Sequence, residues 1–119
     1  MTLYDQLGGE AELASVVEDY YSRLTTDGLL APWFESADDE RIRFHLRAYL
    51  AVALGGPEGY SGRSMRQAHA GLRITTEAFD IALALLADSL AAAGADTALI
   101  DSVVRVVSSL RPVVVQVVG

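Results

Sequence analysis

The sequence predicts an all-α fold in a single domain spanning residues 1–119, and three observations predict it. Apolar residues recur at intervals of three and four through most of the chain, the spacing that gives a helix one buried face. The helical stretches are bounded by residues that cap or break helices, and no convincing strand partner accompanies them. Length and composition agree: 119 residues, 51% hydrophobic and 21% charged, suffice for one core and leave little room for a second.

The first long helix is expected from about Glu10 to Thr25, with Leu13, Val16, Val17, Tyr20, Tyr21 and Leu24 along its stripe and Gly8-Gly9 punctuating its start. Tyr20 and Tyr21 are neighbours, so they cannot face the same way on a helix. Leu29 to Phe34 reads as a short turn-like segment. Ser36 or Asp38 can cap a second helix carrying Ile42, Leu46, Tyr49, Leu50 and Ala53. That helix should stop at Gly55-Gly56-Pro57, two residues costly in a helix followed by one that cannot continue it.

Residues Glu58 to Gly62 read as a loop, and Ser64 to Ala70 suffices for about two helical turns. A capped start at Thr75 predicts a helix through Ala93, with Phe79, Leu83, Leu86 and Leu90 inward and Gly94 closing it. Asp96 then caps a last helix whose stripe, Leu99, Val103, Val106, Leu110, Val113 and Val117, runs to the end. The β-branched run at Val113 to Val115 is the one place where a strand is conceivable.

Composition excludes several functions. No cysteine is present, so disulfides, thiolate zinc sites and Cys-X-X-Cys chemistry are absent, and a metal must use His, carboxylates or a cofactor's own ligands. Nine Lys and Arg against sixteen Asp and Glu give a charge of -7. With the basic residues scattered, neither nucleic acid nor a membrane surface is an expected partner. The start, with an acid at position 5, does not resemble a signal peptide, and a cytoplasmic location is expected. Phosphate-binding glycine loops, the nucleophile elbow and the zincin motif are missing. Asp38-Asp39-Glu40 suits dipole stabilisation at a helix N-terminus better than a carboxylate site.

The stretch from Gly55 to Thr75, with five glycines and few core residues, is costly to order. A large apolar cofactor beneath it would contribute stability by binding the folded state. Two histidines could meet such a group: His69 in the short helix, and His45 at the margin of the second helix's apolar stripe. By themselves both are better explained as ordinary hydrogen-bonded or half-exposed residues.

The order of certain residues is similar to that of the group I truncated haemoglobins. Val16-Val17-Glu18-Asp19-Tyr20-Tyr21 is followed by Pro32-Trp33-Phe34, then Ala53-Leu54-Gly55-Gly56-Pro57 with Tyr60-Ser61-Gly62. Met65-Arg66-Gln67-Ala68-His69-Ala70-Gly71 and Ile74-Thr75 come next. The match runs from Tyr4 to Pro112, nearly the whole chain. The resemblance implies a two-over-two helical sandwich, the truncated globin fold, holding non-covalent haem b (iron protoporphyrin IX).

It also implies roles. His69 resembles the proximal iron ligand, and Tyr21 the distal tyrosine that donates a hydrogen bond to bound ligand. Phe34 matches the aromatic residue packed on the haem face, while Met65, Ile74 and Phe79 match wall positions. Ile42 and Leu46 depart from the pattern, being apolar where many members carry polar distal groups. His45 stands where one branch has a histidine binding iron as a sixth ligand; its side chain could turn inward to iron or outward to a propionate and solvent.

The activity so implied is reversible binding of dioxygen, nitric oxide or carbon monoxide. Nitric oxide dioxygenation, as catalysed by a nitric oxide dioxygenase, would need an external electron donor, since no reductase fits in the chain. Oxygen storage, gas sensing and a haem-free apolar-pocket interaction module are the alternatives.

Overall fold

The computed structural model describes residues 1–35, 38–56 and 73–115. Helix α1 covers Leu3–Leu7, α2 Glu10–Thr26, α3 Asp39–Ala53, α4 Thr76–Ala92, α5 Thr97–Ser108 and α6 Arg111–Val114, with a 3-10 turn at Ala31–Phe34 between α2 and α3. Helix α2 packs against both α3 and α4, and α4 packs against α5, so two helix pairs are joined through α2.

The caps act where the sequence places them. Asp38 accepts from the Arg41 amide at 3.2 Å, Thr75 from Ala78 at 3.0 Å and Asp96 from Leu99 at 2.8 Å. Each satisfies one of the amide donors orphaned at a helix start, worth about 1 kcal/mol apiece. Gly8 and Gly9, at φ of 122° and 83°, let the chain turn from α1 into α2 through conformations that side-chain-bearing residues rarely adopt.

The core is built from Leu13, Val16, Val17, Tyr20 and Leu24 of α2, Leu50 and Leu54 at the end of α3, Ala78, Leu86 and Leu90 of α4, and Val103 and Val107 of α5. Leu50, Leu86 and Leu90 are almost wholly enclosed, and burying each is worth roughly 1.5–3 kcal/mol.

Two features depart from the expected organisation. Helix α1 is an additional element, opened by a capping box in which the Asp5 amide donates to the Thr2 hydroxyl at 3.0 Å. The last helix is not continuous: α5 ends at Ser108, and α6 begins at Arg111 with Pro112 in its first turn. Proline lacks the N–H that would continue the ladder, and its ring collides with the carbonyl four residues earlier, so a single helix through this point is costly. Residues 111–114 are helical, which removes the strand alternative there. The expected short helix at Ser64 to Ala70, and the end of the stripe at Val117, lie outside the described residues.

Candidate functional site

The adjacent tyrosines of α2 divide as helical geometry requires. Tyr20 joins the core, whereas Tyr21, 6% exposed, lines an open cavity of about 230 Å³ together with Thr25, Ala31, Phe34, Glu35 and Asp39. The 3-10 turn brings Phe34 to this cavity, where its ring meets that of Tyr21 edge-on, with centroids 6.0 Å apart and planes at 84°. From the opposite helix, the Arg43 guanidinium lies 5.4 Å from the Tyr21 ring centroid, and its Nε is 3.7 Å from Glu18. The ring is therefore bounded by an aromatic edge and a cation.

At the end of that ring the Tyr21 hydroxyl donates to the Asp39 carboxylate, at the first position of α3. Burial, then the hydrogen bond to Asp39 and that residue's negative charge, push the Tyr21 phenol up to about 12, against the opposing pull of Arg43. The group is thus a neutral hydrogen-bond donor at physiological pH.

Helix α3 places Ile42, His45 and Leu46 at half-buried positions, and Leu46 packs against the core. His45 lies edge-on to Phe44, with ring centroids 5.9 Å apart; Phe44 itself is 55% exposed. Ile74, half-buried, precedes α4 and packs on the core. Phe79 is buried in the first turn of α4, with the Arg111 guanidinium 4.7 Å from its ring centroid. Arg111 also meets Asp80 at 2.6 Å, which ties α6 to α4. Met65 and His69 lie outside the described residues.

The structure brings Tyr21 and Phe34 into direct contact and places Ile42, His45 and Leu46 together on α3. It adds Asp39 and Arg43, which sequence reasoning passed over. Asp39 stood in an acidic run whose ordinary explanation is the helix dipole. That explanation holds for Asp38, the cap, but Asp39 is also engaged across 18 residues of sequence. Only the approach of α2 to α3 discloses that pairing, and periodicity carries no sign of it.

A large flat apolar cofactor asks for apolar walls and one or two metal donors. Phe34, Ile42, Leu46, Ile74 and Phe79 are buried or half-buried apolar groups, His45 is a half-buried imidazole on the same helix as Ile42 and Leu46, and Tyr21 is a buried phenol. Among the described residues no cluster of three or more His, Cys, Asp or Glu side chains could hold a metal ion. An imidazole and a buried phenol beside apolar groups fit a metal that arrives within its own macrocycle. Among the described residues, too, no helix is long and apolar enough to cross a membrane.

Comparison with known proteins agrees. The family model for bacterial-like globins matches residues 2–116. A group 1 truncated haemoglobin of Nostoc commune is 41% identical over 93 residues, covering 78% of this chain and 79% of the relative. That of Mycolicibacterium paratuberculosis is 34% identical over 111 residues, covering 93% and 82%. Among solved structures, the Fe(III) form of truncated haemoglobin from Tetrahymena pyriformis superposes with a TM-score of 0.93 at 28% identity, over 98% of this chain and 99% of that one. The 2/2 haemoglobin of Synechococcus sp. PCC 7002, solved with covalently attached haem, gives 0.86 at 31% identity, over 93% and 94%. The chain belongs to the bacterial-like globin family, as a group 1 truncated haemoglobin of the two-over-two fold, a family whose prosthetic group is haem b.

Proposed function

We propose that this chain holds haem b through His69 and binds diatomic gases reversibly, with Tyr21 as the hydrogen-bond donor to the gas. The observation that carries the reading is the Tyr21 phenol: buried, neutral, fixed by Phe34 and Arg43, and set in the wall of a cavity. When bound, haem b would supply an iron that a protein imidazole holds and that takes up the gas.

The chain's own residues supply the rest. Phe34, Ile42, Leu46, Met65, Ile74 and Phe79 form the apolar surroundings that exclude water. Tyr21 discriminates among gases by their capacity to accept a hydrogen bond, favouring dioxygen, a stronger acceptor than carbon monoxide. Ile42 and Leu46 have no polar group to offer, so Tyr21 carries the distal hydrogen bonding. His45, half-buried on the same helix as these two residues, would compete with gas as an internal ligand.

Nitric oxide dioxygenation is the turnover compatible with this arrangement: nitric oxide, dioxygen and one electron from a separate donor give nitrate. Expression with haem available, followed by the visible spectrum, tests the reading. A Soret band that shifts with carbon monoxide is the expected result; a folded helical protein with no Soret band would sink it.

A further inference from the structure

A phenol has one proton to donate, and the structure gives that of Tyr21 to Asp39. The ring stands perpendicular to that of Phe34 and is faced by Arg43, which fixes where the hydroxyl oxygen lies. Asp39 is exposed, on the first turn of α3. Its carboxylate recovers water when the phenol leaves, so the engagement is reversible.

We propose that Asp39 is a positioning residue for the distal tyrosine: its carboxylate occupies the Tyr21 hydroxyl proton in the gas-free protein, and a gas molecule gains that hydrogen bond only by displacing the carboxylate. The inference rests on the reading of Tyr21 as the distal donor. A hydrogen bond to an ionised acceptor is roughly twice as strong as one between neutral groups, so Asp39 weakens the net advantage that Tyr21 gives to dioxygen. Asp38, the neighbouring carboxylate, caps α3 through the Arg41 amide. It supplies a control of equal charge change.

Dioxygen and carbon monoxide dissociation should be compared in the haem-loaded parent, Asp39→Asn, Asp38→Asn, Tyr21→Phe and the Tyr21→Phe/Asp39→Asn pair. Asp39→Asn should slow dioxygen release about three- to tenfold, because a neutral amide competes less well for the phenol. Carbon monoxide should change less, Asp38→Asn should stay within about twofold of the parent, and the double variant should match Tyr21→Phe. A second readout needs no gas: with 13Cζ-labelled tyrosine in the haem-free protein, the resonance lost in Tyr21→Phe should shift in Asp39→Asn and stay in place in Asp38→Asn.

Dioxygen release in Asp39→Asn that is unchanged or faster, or an unmoved 13Cζ resonance, overturns the role of Asp39 while leaving Tyr21 as donor. Failure of Tyr21→Phe to alter dioxygen release overturns the distal-donor reading, and the role of Asp39 falls with it.

Discussion

Gly56 lies against the ring of Tyr4, so close that a Cβ on the glycine would stand 2.6 Å from its Cδ1. The same contact region holds the Tyr4 amide donating to the Leu54 carbonyl at 3.0 Å. Helix α1 is thereby pinned to the end of α3. Gly56→Ala should force the two apart and destabilise the protein by about 1–3 kcal/mol, the usual cost of overpacking. Urea denaturation measures it, and an unchanged midpoint would mean that α1 gives way freely.

His69→Ala should abolish stable haem binding or leave haem held through another ligand, since the proximal imidazole is the one protein-to-iron bond the proposed function requires. Haem retention on a desalting column and the ferrous carbon monoxide spectrum are the checks. Unchanged proximal spectroscopy would place the ligand elsewhere.

Tyr21→Phe should keep haem yet speed dioxygen release by roughly ten- to a hundredfold, the loss of a hydrogen bond worth ~1.5–3 kcal/mol at ~1.4 kcal/mol per factor of ten. Carbon monoxide should respond less. Stopped-flow dissociation rates decide it: indifference to the change would make Tyr21 a packing residue.

For His45, the comparison is between ligand-free spectra of the parent and of His45→Ala. Internal ligation predicts a low-spin six-coordinate parent that becomes high-spin or water-bound in the variant. It also predicts gas binding that strengthens once the competitor is removed, in proportion to the fraction of molecules previously closed. Identical high-spin spectra and unchanged binding rates would assign His45 to packing against Phe44 or to solvent.

Alkaline stability should report the tyrosines. Burial pushes Tyr20 well above its ordinary value and Tyr49 to about 12, and Tyr21 also stands at about 12. A phenol with a raised folded-state value contributes stability that is complete below about pH 10, the unfolded value, and is lost as pH rises through the folded one. The fold should therefore weaken between about pH 10 and 12, with tyrosinate absorbance appearing together with loss of helicity. Ionisation of all five tyrosines before any loss of helix would contradict the burial argument.

Much of this architecture is legible in the residues because it is local. Asp38, Thr75 and Asp96 bind amides three positions ahead of them, and the stripe of α2 predicts which side chains enter the core. Helix α1, at five residues, is shorter than the window in which periodicity accumulates, although Thr2 and Asp5 carry its capping signature. The break before α6 was written in Pro112 but masked by a valine stripe that continues past it. At the site, the family resemblance nominates Tyr21 and Phe34 and the apolar stripe of α3 marks Ile42 and Leu46, whereas the Asp39 and Arg43 contacts depend on how two helices cross and have no sequence period to announce them.

Tyr20 and Tyr21 are chemically identical neighbours with unlike fates, one enclosed in the core and one set in the cavity wall. What separates them is rotational phase, about 100° along a single helix. The chemistry available at the cavity is thus encoded less by which residues α2 contains than by where its turns are counted from. Inserting one residue between Val17 and Tyr20 would leave the composition nearly untouched while wiring the wrong phenol to the pocket, so α2 tolerates exchanges of side chain far better than changes of length.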